Sequence, residues 1–262
     1  VEPSGWWPKG PLDVTHEFAG TFSLGGGKQI FQADTNKGKV SRDGKVFGEY
    51  DTTTAWVGPD IFINLKSLML GPAFTERAVA KWLPGRRVKA GTLTVKQSEL
   101  RLAEKGAGRF KGSVEFKDFA LAAKDSNGSA TPLNASFEID AIATTNRVFQ
   151  IKQFTANLPA TKKAANQATL NGTLDLSHPR APTGKVILKS DALDITPLTA
   201  LLVDGKKTKP AADTQSSKRF AFRQFKVGLD VKQIHWRDLN ATAVRGEVQL
   251  DGPMIKLEPV EM

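Results

Sequence analysis

The segment LDVKQIHW, Leu229 to Trp236, starts as a β-strand and then falls out of step. Leu229 and Val231 alternate with polar residues, as the half-buried face of a strand requires. The next apolar pair, Ile234 and Trp236, arrives one position late. In a regular strand that delay would turn the second pair to the opposite face.

The same delay recurs around other lysines. An apolar residue at −3 and −1, a polar residue at +1 and an apolar residue at +4 surround Lys66 (Ile63, Leu65, Ser67, Leu70), Lys96 (Leu93, Val95, Gln97, Leu100) and Lys117 (Val114, Phe116, Asp118, Leu121). They also surround Lys152 (Phe149, Ile151, Gln153, Ala156), Lys189 (Val186, Leu188, Ser190, Leu193) and Lys232 (Leu229, Val231, Gln233, Trp236). With 40% of residues apolar, three fixed apolar positions occur by chance at about 6% of lysines. Six instances therefore indicate structural repetition. One extra residue at each Lys-polar step returns −1 and +4 to one face, which is the geometry of a β-bulge. The alternative is a polar corner between two short strands.

The expected fold is all-β: a long, twisted, mostly antiparallel sheet bent into a groove or U shape, apolar on one side, with two short helices at its margin. The first helix is read in GPAFTERAVAKWLPG, over residues 73–83, where Phe74, Ala78, Val79 and Trp82 share a face. The second is read in DITPLTALLVDG, over 196–203, with Thr196 as cap and Pro197 in the first turn. Strands are expected over 14–24, 29–33, 39–50, 60–70, 93–102, 109–123, 136–143, 149–158, 168–176, 185–193, 220–236, 241–250 and 254–259. The Asp43-Gly44 pair and GGGK mark hairpin turns. The lysine motifs recur at irregular intervals, which excludes a fixed-period solenoid and favours a meander of hairpins. The whole chain is read as one elongated domain, residues 1–262: a main β region over 1–202, a flexible polar loop over 204–218, and C-terminal strands over 219–262.

A net charge of +10 and a sequence pI near 9.7 raise nucleic acid as a partner. The lysines are instead dispersed over the alternating polar positions of strands, so no nucleic-acid partner is expected; anionic lipid headgroups suit such a surface. The chain has no cysteine, which removes disulfides and thiolate metal sites. The longest apolar run, around Leu198 to Val203, is too short to span a bilayer.

Catalytic and metal motifs are missing from the sequence. His16, His178 and His235 have no second ligand at metal spacing, and HExxH, GxSxG and CxxC do not occur. SLGGGKQ departs from the phosphate-loop pattern. No enzyme activity, metal or cofactor is expected. The remaining signal is the apolar face, expected to be lined by Phe116, Phe119, Leu121, Phe149, Ile151, Phe154, Val186, Leu188, Phe222, Phe225, Leu229, Val231, Ile234 and Trp236. Such a face is either an ordinary sandwich core or a groove for acyl chains. At about 0.8 kcal/mol per buried methylene, a sixteen-carbon chain gains on the order of 12 kcal/mol gross without any polar contact.

Two stretches carry a family resemblance. SDALDITPLTALL, residues 190–202, and FKVGLDVKQIHWRDLNATAVRGEVQLDGPMIKLEPVEM, residues 225–262, resemble the C-terminal region of AsmA-family proteins. There a strand ending in a Leu-Asp step leads into a short helix, and later strands follow the pattern of Trp236-Arg237-Asp238-Leu239, Val244 to Val248 and Ile255 to Pro259. The resemblance implies a periplasmic β-rich body held to the bacterial inner membrane by an N-terminal anchor. It also implies kinship with repeating β-groove lipid carriers and a role in lipid transport or outer-membrane assembly. The chain begins at Val1 without that anchor and stops after LEPVEM, as a piece trimmed at both ends would.

The function expected is non-enzymatic lipid handling in the envelope, with phospholipid or another acyl lipid as ligand and envelope proteins as further partners. The alternative is a structural or protein-binding β module whose apolar face is a closed core and whose edge strand pairs with a partner.

Overall fold

The computed structural model describes residues 11–25, 28–76, 86–103, 106–123, 132–144, 147–178, 181–197, 224–251 and 254–258. Among the described residues, fourteen strands form one open sheet. They are β1 (Asp13–Gly25), β2 (Lys28–Arg42), β3 (Lys45–Val57), β4 (Asp60–Leu70), β5 (Arg86–Leu102), β6 (Gly108–Ala123) and β7 (Pro132–Ala143). There follow β8 (Val148–Asn157), β9 (Gln167–Asp175), β10 (Thr183–Ser190), β11 (Leu193–Asp194), β12 (Phe225–Trp236), β13 (Leu239–Asp251) and β14 (Met254–Leu257). Neighbours in sequence are neighbours in the sheet, except that β10 is followed by β12, and β11 also pairs with β12. The all-β, mostly antiparallel sheet expected from alternation and turn residues is therefore the observed fold.

The chain divides into two compact units, Val1–Ile139 and Asp140–Met262. In the first, every registered pair from β1 to β6 is antiparallel. Asp43 (φ 49°) and Gly44 (φ 72°) form the two-residue β2–β3 turn, whose left-handed pair matches the twist of the flanking strands. Recognising this turn leaves 39–50 as parts of two strands, and β2 and β3 are both longer than alternation alone indicates.

In the second unit β10 runs parallel to β12, with Gly184 opposite Phe225 and Ser190 opposite Val231. This departs from the meander of hairpins expected. The pairing is parallel because β10 and β12 are joined by a long connection instead of a tight turn.

Helix is sparse among the described residues. Residues 72–76 are helical, and Thr75 closes the turn through its backbone N–H and hydroxyl, both directed at Gly71 O. Thr196 and Pro197 begin a second helical segment. The remainder of both expected helices, residues 77–83 and 198–203, lies outside the described residues, as does the polar loop 204–218.

Bulges occur where the lysine motif places them. On β4, Asp51 pairs with Ser67 and Thr52 with Leu65, so Lys66 is the extra residue. On β5, Gln97 and Ser98 oppose Gly112, and Gln97 takes φ 47°. On β6, Asp118 and Phe119 oppose Gly91, with Asp118 at φ 50°. The Asp118 N–H released from the ladder donates to Asn134 Oδ1 at 2.7 Å. On β8, Lys152 and Gln153 oppose Asn171.

The last two motifs behave differently. Pairing of β12 with β13 stays in constant register through Val231–Val244 and Ile234–Ala241. The parallel register through Ser190–Val231 and Leu193–Ile234 is also unbroken. No strand carries an extra residue relative to its neighbours here. Instead the strands slip together: β10 is interrupted before β11, Lys232 and Gln233 are both exposed, and Ala243 opposite adopts φ 53°. A shared kink thus replaces the bulge expected at Ser190 and Gln233. It has the same effect, since Val231 and Ile234, three apart in sequence, pack in one cluster.

Candidate functional site: an apolar sheet face

Residues opposite one another in a ladder share a face, so the register assigns every side chain. In the Asp140–Met262 unit one row across the sheet is Phe149, Leu174, Gly184, Phe225, Leu250. The next is Ile151, Gly172, Val186, Val227, Val248, followed by Phe154, Leu170, Leu188, Leu229, Gly246. Beyond the β8 bulge the row Ala156, Ala168 continues into Ser190, Val231, Val244, and beyond the shared kink lie Leu193, Ile234, Ala241. Apart from Ser190 the face is apolar or glycine in every row, and the phase slips keep it so.

The opposite face is ionic. Lys185 and Lys226 share a row and both reach Glu247 in the adjacent one, at 3.0 and 2.5 Å. Hydrogen bonds from Lys226 and then Lys185 hold the Glu247 carboxyl below the usual carboxylate range, and the Lys226 ammonium is correspondingly raised. Asp191 raises Lys232 in the same way across a 2.7 Å pair. Ile187 and Val148 are apolar exceptions on this side.

Most expected lining residues of this unit fall on the apolar face. Val186, Phe225 and Val231 are buried, and Phe149, Ile151, Phe154, Leu188, Leu229 and Ile234 are half-buried. The Phe225 ring covers bare backbone, since a Cβ on Gly184 would sit 3.2 Å from its Cε2. Val231, at 1% exposure, centres a cluster with Ala168, Leu193 and Val244, flanked by Leu188, Ile195, Leu229, Ile234 and Ala241. Trp236, paired with Leu239 at the strand ends, is 42% exposed and Leu239 65%. Phe222 lies outside the described residues.

Sequence reasoning anchored on lysines missed Leu170, Leu174, Val244, Val248 and Leu250, which complete the rows. β9 and β13 carry no lysine motif, but their plain alternation was the available signal.

In the Val1–Ile139 unit the face is built alike. Rows run Val14, Val40, Gly48, Leu70, Leu93, Phe116, then His16, Gly38, Tyr50, Leu68, Val95, Val114. Phe116 packs edge-on against Phe119 (4.9 Å) and Phe137 (5.7 Å). Phe119 is buried and Leu121 half-buried, and both return to the Phe116 side because Asp118 is bulged out. A third row runs Phe22, Phe31, Trp56, Ile61, Leu102, of which Phe22, Trp56 and Leu102 are exposed, and the Trp56 indole N–H donates to Gly58 O.

A polar knot closes the 157–167 connection of the second unit. Asn166 (φ 58°, 2% exposed) donates to Pro159 O at 2.7 Å and accepts from the Asp194 N–H at 2.6 Å. Asp194 Oδ1 in turn accepts the Thr196 N–H, and its carboxyl pKa is lowered despite burial, first by a hydrogen bond from the Thr196 side chain, then by the Thr196 N–H, Thr161 and Lys163. The Thr196 hydroxyl, expected to cap its own helix, accepts the Arg237 N–H of the β12–β13 turn at 2.7 Å.

Among the described residues no three His, Asp or Glu side chains gather as a metal site, and no helix is long and apolar enough to cross a membrane. His16 bonds Asn36 Oδ1, while His235 Nε2 is buried without a hydrogen-bond partner among the described residues. No family model, curated protein or solved structure matches the chain.

Proposed function

We propose that the protein handles lipid, holding acyl chains on the apolar face without catalysis. The observation that carries this reading is the division of faces in the Asp140–Met262 unit: five successive rows of Phe, Ile, Leu, Val and Ala, interrupted only by glycines and Ser190, on one side, ion pairs on the other. All described strands belong to one sheet, and half-buried Phe149, Ile151 and Phe154 remain partly accessible. Methylene burial supplies affinity with little demand for polar groups. The resemblance of residues 190–202 and 225–262 to AsmA-family proteins supports the bacterial envelope as the setting. Phospholipid would then be the ligand, with inner-membrane attachment and a contribution to outer-membrane assembly or lipid homeostasis.

Lipid extraction and native mass spectrometry of protein purified from cells test the proposal. Copurifying phospholipid is expected, and Ile151→Asp should remove it while the β-sheet circular dichroism is retained. Wild-type protein free of lipid would overturn the reading. Unfolding of Ile151→Asp would favour the closed-core alternative.

A further inference from the structure

Among the described strands β1 ends the sheet, with β2 as its one described neighbour. An edge of thirteen residues offers a row of backbone donors and acceptors, and proteins usually blunt such edges with lysine, proline, a bulge or brevity. β1 has none of these. No Lys or Pro lies between Asp13 and Gly25, and the extra residue at the Ala19/Gly20 irregularity falls on β2. Its apolar-face side chains Val14, Phe18, Phe22 and Leu24 are 50–75% exposed.

We propose that this edge pairs with the β1 edge of a second copy of the chain, antiparallel about a two-fold axis through Ala19. The strand is self-complementary in the register that pairs its full length. On the apolar face Val14 meets Leu24 of the second copy, His16 meets Phe22, and Phe18 meets Gly20, where a ring can cover bare backbone. On the polar face Thr15 meets Ser23, Glu17 meets Thr21, and Asp13 meets Gly25. Asp13 and Glu17, the acidic residues of the strand, face uncharged partners, so the symmetric pairing opposes no like charges.

Cysteine cross-linking tests it in the full chain, which has no cysteine of its own. Ala19→Cys should oxidise to a covalent dimer, since paired antiparallel strands hold opposed Cα atoms within disulfide reach. Thr15→Cys and Ser23→Cys should each remain monomeric alone and cross-link when mixed. In sedimentation, wild-type protein should dimerise reversibly, and Phe18→Lys with Phe22→Lys should weaken the dimer by roughly tenfold or more. A monomer at all concentrations would overturn the proposal. So would a dimer insensitive to the lysines, or cross-linking of Thr15→Cys alone with failure of Ala19→Cys.

Discussion

A Cβ added to Gly112 would fall 1.9 Å from Ser98 Oγ and 2.4 Å from its Cβ. Ser98 is 1% exposed and belongs to the bulge on β5, with Gly112 the single residue opposite. The bulge thus fits two residues against one by using a partner with no side chain. Gly112→Ala should destabilise the protein by roughly 1–3 kcal/mol through overpacking. Adding Ser98→Gly should recover part of the loss, read as the urea midpoint of each variant. A midpoint for Gly112→Ala equal to wild type would contradict the placement of the bulge.

Asn166 links the 157–167 connection to β11 through one amide. Asn166→Ala leaves the Asp194 N–H and Pro159 O unpartnered in a buried site, at a cost of roughly 1–3 kcal/mol. Proteolysis within residues 158–166 should accelerate in the variant, because the connection loses its tie to the sheet.

Asp194 adds a pH signature. Its carboxyl is lowered in the folded protein by the hydrogen bond from Thr196, with Thr161 and Lys163 assisting. A depressed folded pKa gives stability that is present above the ordinary aspartate value and is lost as pH falls through the folded value. Asp194→Asn should therefore lower the denaturant midpoint at neutral pH and flatten its decline on acidification below the ordinary carboxylate range. Parallel acid profiles for variant and wild type would rule out this linkage.

The sheet and its apolar face were legible in the sequence because alternation is a local property, as β4 illustrates: its observed ends coincide with those read from the pattern. The phase slips were legible too, yet not their mechanism. At Lys66, Gln97, Asp118 and the Lys152-Gln153 step the ladder to one neighbour carries an extra residue, even though β4 and β5 slip together across Lys66 and Gln97. At Ser190 and Gln233, by contrast, no registered pair shifts. Whether one strand slips or several slip together depends on registers between distant segments, which no single strand encodes. The parallel β10–β12 pair was hidden for the same reason. So was the Asn166–Asp194 bond, which joins residues 28 apart.

Val231 and Trp236 lie on one face of β12 but differ in what they support. Val231 sits at the centre of the cluster, and Val231→Ala should cost roughly 2 kcal/mol from lost burial and the cavity left behind. Trp236 is 42% exposed at the strand end, so Trp236→Ser should change the melting temperature little. If acyl chains lie on this face, the Trp236 variant should nevertheless carry less copurifying lipid than wild type. A large drop in melting temperature for Trp236→Ser would place this indole in a core instead.

Glu247 accepts from two lysines on different strands, Lys185 on β10 and Lys226 on β12, and so ties the parallel pair together on the polar face. Its own side chain is only 16% exposed, but the lysines are 58% and 38% exposed, which leaves the attraction open to screening by salt. Glu247→Gln keeps an acceptor oxygen while leaving two ammonium groups side by side, so the variant should unfold earlier than wild type at low ionic strength, and added salt should narrow the difference. Because the carboxyl pKa is lowered on folding, the wild-type advantage should be present at neutral pH and shrink as pH falls through the folded value. Denaturant titrations of both proteins at two salt concentrations and two pH values supply the comparison. A gap that is unchanged by salt and by acid would mean that the ion pairs contribute nothing to holding β10 against β12.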